Sequence, residues 1–385
     1  FFLIIISFKE FETRVDILRK HMTQEDIDLA LLVDPHNQYY FTNFYAITYS
    51  RPIFTLISES SVEIIVPGLE EEHAKLEACV DDIHVYYEHP EKAKIAKSPY
   101  KILFDVIRRR RYKTVGIEKN AFSVTLAENL RDKTAIRFKN IENKIGEMRL
   151  IKSEMEIKLI KNAAELVDLG VKESVEQTKE GFSELEIDAI GNTAILRTAS
   201  EKFPSVRVEF FSMSPSGKER TVLPHVFSST RKIRKGDIII HSRQVAFKGY
   251  RSENERTFFY GKPSKKMKDI FEVMTEAQKA AIDAVREGVT CREIDSAARN
   301  VIKEAGFAEY FFHRTGHGLG LSVHEPPYLR YDEDMLLREG MVVSIEPGMY
   351  IPSVGGFRHS DTVIVRKNHG EVITKVPRTL DYLIR

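Results

Sequence analysis

"EGFSELEIDA" (180–189) and "EGVTCREIDS" (287–296) carry the same residue, or a hydroxyl for a hydroxyl, at six of ten positions, and they lie 107 residues apart. In each, a hydroxyl precedes a glutamate by three residues: Ser183 and Glu186 in the first, Thr290 and Glu293 in the second. This spacing is that of a capping box, in which the hydroxyl and the carboxylate satisfy two amides that a helix N-terminus leaves without partners. Each stretch follows a long helical pattern and precedes strand-like segments. The repetition predicts a duplicated αβ unit, two halves related by a pseudo-twofold axis with their strands meeting at a central cleft.

Outward from the repeat, a third capping box, Ser153 with Glu156, opens the amphipathic run "RLIKSEMEIKLIKNAAELVDLG" (149–170). Before it the texture differs. Short apolar strands at 28–33, 54–59, 62–67 and 114–118 alternate with the helical patterns "FKEFETRVDILRKHM", "EEEHAKLEACV" and "PYKILFDVIRRR", which argues an α/β layer. The boundary falls near residue 150, giving an N-terminal α/β domain over 1–150 and a C-terminal domain over 151–385, α+β in total.

Composition narrows the function. The chain is 385 residues long with 42% apolar and 30% charged residues, ordinary for a globular protein with two full cores. Lys+Arg 58 against Asp+Glu 57 gives a formal net charge of +1, so no bulk field draws it to nucleic acid. Two cysteines, Cys79 and Cys291, are too few for a disulfide framework and suit a reducing cytosol. The run "FFLIIISF" (1–8) has six strongly apolar residues without a basic flank or cleavage site, which predicts a terminal strand rather than a membrane span or signal peptide.

Four segments bear the chemistry: "LPHVFSSTRKIRKGD" (223–237), "IIIHSRQVAFKGYRSENERTF" (238–258), "FFHRTGHGLGLSVHEPP" (311–327) and "GMVVSIEPGMYIPSVGGFRHSDTV" (340–363). In order and spacing they resemble the pita-bread hydrolase superfamily of methionine aminopeptidase, aminopeptidase P, prolidase and creatinase. "TGHGLGL", "HEPP" and "SIEPG" carry the likeness most specifically, and it extends over essentially the whole chain, because prolidase and creatinase also have an N-terminal α/β domain. In site pattern the likeness is nearest to creatinase.

The resemblance implies a fold and a degenerate metal site. Metal-dependent members hold two divalent ions with two Asp, one His and two Glu. Those positions fall here on Ser242, Glu253, His317, Glu346 and Ser360. Glu253 and Ser360 are 107 residues apart, the offset of the helix caps, so they occupy matched places in the two halves. Two ions need bridging carboxylates to neutralise about four positive charges, and a neutral serine hydroxyl at a bridging position argues against a pair. No metal cofactor is therefore expected, although a single Mn, Co or Zn on Glu253, His317 and Glu346 is chemically open. His241 and His359 adjoin the altered positions, but one residue along a strand reverses the face, so packing is expected of them.

Glu255 stands where prolidases usually have threonine, two residues from Glu253 and so on the same face. Creatinase, the metal-free member, has a Glu there and another at the place of Glu346, and these hold the substrate's guanidinium. Its proton-shuttling histidine corresponds to His225. "NQYYFTNFYAITYSR" (37–51) matches its segment that reaches across a dimer to a substrate carboxylate, placing Tyr49 and Arg51 there. His313, His324 and Arg330 match or lie near pocket positions, and Pro326 and Pro327 are expected to end a strand.

The leading expectation is thus a creatinase-like, metal-independent hydrolase. It would cleave a C–N bond of a small cationic carboxylate, acting as a homodimer with His225, Glu255, Glu346 and His317 at its centre and Glu253 lining it. Should Glu255 be structural instead, Arg256 or Arg251 is its expected partner. The alternatives are an Xaa-Pro dipeptidase or aminopeptidase with a reduced metal site, and a non-catalytic binding module on the same fold. A small molecule or dipeptide is the partner in the first two, with neither nucleic acid nor membrane involved.

Overall fold

The computed structural model describes residues 6–89, 91–92 and 98–385, so most of the apolar run at 1–8 lies outside the described residues. The chain divides into two compact units, Phe1–Arg149 and Leu150–Arg385. No helix among the described residues is long and apolar enough to cross a membrane.

The first unit holds a six-stranded mixed sheet in the order Asp82–Tyr86, Val62–Pro67, Phe54–Ser58, Leu29–Leu32, Thr114–Ile117, Arg137–Asn140. Helices Phe8–Gln24 and Pro99–Arg110 start at serines, Ser7 and Ser98, whose hydroxyls accept the orphan amides of Glu10 and Lys101. Two strands, Asp82–Tyr86 and Arg137–Asn140, escape the sequence pattern because they lie at the two sheet edges and are largely polar or exposed.

The second unit carries an eight-stranded sheet, whose main path runs Glu325–Leu329, Gly316–Gly318, Val342–Ile345, Ser360–Val365, Tyr250–Tyr260, Asp237–Phe247, Val208–Met213. Every pairing along it is antiparallel. Helix pairs Glu154–Gln177 with Glu184–Lys202, and Lys265–Ala284 with Cys291–Glu304, supply the two halves of the repeat. Ser183 and Thr290 both form complete capping boxes, and each cap residue bridges to the loop before a central strand, Ser183 to Lys232 and Thr290 to Leu336. Val171, Ile187, Phe258, Phe271, Met274 and Ile294 belong to the shared apolar core. Where the halves meet, Ser360 pairs opposite Glu255, while the Thr362 hydroxyl meets the backbone of Glu253. That exchange of places is what a twofold axis between the strands requires.

One turn sets the register of the site. Strands Asp237–Phe247 and Tyr250–Tyr260 are joined by Lys248 and Gly249, with φ of 51° and 83°. Two positive φ values are the type I′ combination that suits a two-residue hairpin. Phe247 therefore pairs with Tyr250, and counting down the ladder brings Ser242 opposite Glu255 and Gln244 opposite Glu253. Pro326 and Pro327, expected to end a strand, instead lie within Glu325–Leu329. That strand is at the sheet edge, where a residue without an N–H is tolerated.

Candidate active site

A cavity of about 720 Å³ opens on the second unit, and Ser242, Glu253, Glu255 and Glu346 reach it together with His225, His313, His324 and Arg330. His317 lies buried beneath, 3.3 Å from Glu346 and 3.9 Å from Glu253. Glycines on either side deliver it. A Cβ at Gly316 would come within 1.9 Å of the Ser344 carbonyl oxygen and one at Gly318 within 2.2 Å of that of Pro326, so only glycine lets this strand sit between its neighbours. The imidazole Nδ1 faces the Gly318 carbonyl at 3.0 Å, which leaves Nε2 toward the two carboxylates.

Burial opposes charge on His317, but Glu346 and Glu253 outweigh it and push its pKa up to about 9. Burial would raise Glu346, yet the same imidazolium and Arg358 hold it far below the usual carboxylate range. His324 stacks on His317 with ring centroids 3.7 Å apart. Burial, with the neighbouring His317 charge, brings His324 down to about 4. His313 is likewise brought to about 4 by burial, and His225 is lowered by burial and by Arg358.

Glu255 has a partner that the sequence reading missed. Arg358 grips it with two hydrogen bonds, Nε to Oε2 at 2.5 Å and Nη2 to Oε1 at 2.9 Å, and both side chains are buried. Arg358 Nη1 also donates to the Tyr350 hydroxyl at 3.0 Å, which is 3.1 Å from His313 Nε2. Burial pushes Glu255 up to about 7 against the pull of Arg358, while Arg358 stays charged well above its ordinary range. The partners expected for Glu255, Arg256 and Arg251, go elsewhere: Arg256 binds Asp361 at 2.9 Å and Arg251 reaches Glu209 at 3.3 Å. Strand periodicity contained the missing signal. Arg358 is two residues from Ser360, hence on its face, by the rule that placed Glu255 beside Glu253.

The altered ligand positions are occupied by hydrogen bonding. Ser360 and Ser344 hydroxyls lie 2.7 and 2.9 Å from Glu253 Oε1, and Gln244 Nε2 donates to Oε2 at 2.6 Å. Both oxygens of the central carboxylate thus have neutral donors, and the charge of Glu255 is met by Arg358. A pair of divalent ions does not fit this donor set. A single ion fits better: Glu253, His317 and His324 form one group whose ligand atoms lie within 4.8 Å of one another, and Glu253, Glu255 and Glu346 form another.

His241 and His359 point to the helix side. His241 is buried 2.7 Å from the Ser214 hydroxyl, and His359 lies edge-on to Phe271 at 5.1 Å. Arg330 lines the cavity but is exposed and bound to Asp332, with Nη2 2.6 Å from Oδ2. In the first unit, Tyr49 is 89% exposed with φ 27°, and Arg51 donates to Glu88 at 2.8 Å.

Residues 158–367 match the model of metallopeptidase family M24, and residues 14–151 match the creatinase/prolidase N-terminal domain. The chain belongs to metallopeptidase family M24. It is 36% identical over 371 residues to the Xaa-Pro dipeptidase of Pyrococcus horikoshii, covering 95% of this chain and 98% of that protein. The crystal structure of the prolidase from Pyrococcus horikoshii OT3 superposes with a TM-score of 0.85 at 34% identity, over 96% of this chain and 99% of the other. An Xaa-Pro dipeptidase from Bacillus anthracis gives 0.86 at 30%, over 97% and 100%. This M24 member is accordingly a hydrolase with the pita-bread fold. Its full-length likeness is to prolidases, which corrects the creatinase-like expectation in favour of a peptidase. The expectation of no metal is also unsupported, since the family is one of metallopeptidases and the cavity contains grouped ligands.

Proposed function

We propose that the chain is an Xaa-Pro dipeptide hydrolase working with a single divalent ion, Mn, Co or Zn, held by Glu253, His317 and Glu346. The observation that carries this reading is that Glu253 and Glu346 line one cavity with His317 buried beneath it, 3.9 and 3.3 Å from them, in a chain related over its whole length to Xaa-Pro dipeptidases. Such an ion would polarise a peptide carbonyl and lower the pKa of bound water. His225 lines the open side of the cavity, and its lowered pKa keeps the ring neutral and able to accept a proton near pH 7. His313, neutral for the same reason and set against Tyr350, orients the substrate. Arg358 disfavours the creatinase-like alternative by already supplying the cation that Glu255 would take from a guanidino substrate.

The reading includes a homodimer, in which Tyr49 and Arg51 serve the neighbouring chain's cavity and Arg51 exchanges Glu88 for a substrate carboxylate. Mixing Arg51→Ala and His225→Ala chains should restore part of the activity through hybrid sites. The central test is turnover of a panel of Xaa-Pro dipeptides and of guanidino and ureido acids, with added manganese, cobalt or zinc and with chelator. Xaa-Pro turnover that requires the ion is expected. Guanidino-acid turnover indifferent to chelator would overturn it.

A further inference from the structure

The first unit carries a convergence of ligand-bearing side chains of its own. Strand Asp82–Tyr86 closes one edge of its sheet and pairs in parallel with Val62–Pro67, with Glu63 opposite Asp82. The strand period of two puts Asp82 and His84 on one face, and the pairing adds Glu63 to it. One histidine and two carboxylates thus meet at the sheet edge, their ligand atoms within 4.8 Å of one another. His84 Nε2 is 2.7 Å from Glu63 Oε2 and 3.7 Å from Asp82 Oδ2.

Each carboxylate is aimed at the ring by a bond to its other oxygen. The Ile83 amide donates to Asp82 Oδ1 at 2.8 Å, while the Ser61 hydroxyl and Arg110 Nη1 both hold Glu63 Oε1 at 2.5 Å. Glu63 is 1% exposed, and although burial opposes its charge, His84, Ser61 and Arg110 keep the carboxyl below its usual range. Two carboxylates against one guanidinium leave a negative charge at the edge. An ion pair with Arg110 would need Glu63 alone. The separation of Asp82 from His84 is too long for a hydrogen bond, but it is close to the roughly 3.3 Å between neighbouring ligands of a tetrahedral zinc ion.

We infer that Glu63 Oε2, Asp82 Oδ2 and His84 Nε2 form a binding site for a divalent transition cation, zinc above all, which clasps the edge strand to its neighbour. A ring nitrogen among the ligands favours zinc over magnesium or calcium, and water completes the shell. His84 offers Nε2 by carrying its proton on Nδ1. Ser61 and Arg110 are the outer partners that fix a ligating carboxylate. This site is independent of what the cavity of the second unit hydrolyses.

The test uses the full-length chain, zinc chloride and histidine ring NMR, which follows each of the 12 histidines and so separates this site from His317 and His324. The resonance lost in His84→Ala identifies His84. Zinc should shift it at concentrations at least about tenfold below those that move exposed His369. Asp82→Asn, at a side chain 63% exposed, should weaken that response about tenfold or more. Bound zinc should also slow amide hydrogen exchange across Asp82–Tyr86 in the parent and not in His84→Ala. A His84 response no earlier than that of His369, or one unchanged in Asp82→Asn, would show an adventitious ion only and overturn the site. A shifted His84 with unchanged exchange would overturn the clasp. Zinc shifts confined to the histidines of the second unit would sink this inference and leave the peptidase reading standing, whereas a tight His84 response without dipeptide turnover does the reverse.

Discussion

The two halves of the second unit agree where each folds and differ where they meet. Helix caps Ser183 and Thr290 have the same hydrogen bonds and the same kind of bridge to the loop before a central strand. Asp188 and Asp295, also 107 residues apart, are both buried and both accept hydroxyls, from Ser214 and Thr315. At the junction the equivalence ends. Arg251 and Arg358 hold matched positions, yet Arg251 makes a 3.3 Å contact with a half-exposed Glu209 while Arg358 clamps buried Glu255 with two bonds. Glu253 is matched by Ser360, one an acceptor and the other its donor at 2.7 Å. Duplication therefore preserves what each half needs to fold, whereas the cleft combines different groups from the two sides.

The largest effect should separate the two arginines. Arg358→Met leaves the Glu255 carboxylate buried without its cation, and the loss in unfolding free energy should be roughly 3–5 kcal/mol. Arg251→Met, whose ion pair is partly open to solvent, should cost about 1 kcal/mol or less through that pair. Urea denaturation measures both. Glu255→Thr combined with Arg358→Met should recover most of the first loss. Equal costs for the two single variants would erase the proposed asymmetry.

Restoring carboxylates tests the cleft directly. Ser242→Asp with Ser360→Glu supplies charge to the two positions that now offer hydroxyls, and a second ion should bind on the order of a hundredfold more tightly than to the parent, about 2.7 kcal/mol. Titration calorimetry with manganese, supported by elemental analysis, should show at most one tight ion per parent chain and two per variant. Two tight ions in the parent would mean that Glu253 abandons its serine donors for metal.

A smaller effect distinguishes His359 from its counterpart Ser252. His359 is fully buried against Phe271, neither ring nitrogen having a hydrogen-bond partner among the described residues, and burial holds its pKa well below 6.5. Below about pH 6.5 the unfolded chain therefore binds a proton that the folded chain refuses, and stability falls as pH drops toward the folded-state value. The loss from this ring is at most about 1.4 kcal/mol per pH unit. His359→Leu should remove that part of the slope in denaturation curves between pH 6.5 and 5. An unchanged slope would show that another group, such as buried His241, dominates the acid response.

The duplicated scaffold was legible because capping boxes are local signals and helical or strand periodicity reports burial. The cavity was only partly so. Period-two reasoning brought Glu255 beside Glu253, but extending it would also have brought in Gln244, Ser344 and Arg358, which now share hydrogen bonds with those carboxylates. What periodicity alone could not give is the pairing across strands. Whether Glu255 meets Arg256, Arg251 or Arg358 depends on register set by Lys248–Gly249 and on the junction of the halves. The stacking of His324 on His317 depends in the same way on how the chain returns between them.

The smallest prediction tests the agreement of the halves. In the first cap the Ser183 hydroxyl accepts the Glu186 amide at 3.2 Å and the Glu186 carboxylate accepts the Ser183 amide at 2.6 Å. In the second the corresponding distances, through Thr290 and Glu293, are 3.2 and 2.8 Å. Ser183→Ala and Thr290→Ala each remove one acceptor from an otherwise unpaired helix amide, so each should cost about 1 kcal/mol. Burial of Ser183 could enlarge its cost if surrounding groups cannot admit water to the freed amide, whereas the Thr290 box is open to solvent that can replace the lost bond. Equal losses in urea denaturation, within about 0.5 kcal/mol, would show that cap geometry dominates and that the halves are equivalent in energy as well as shape. A much larger loss at Ser183 would confine the equivalence to geometry, with the surrounding burial deciding what the same hydrogen bond contributes.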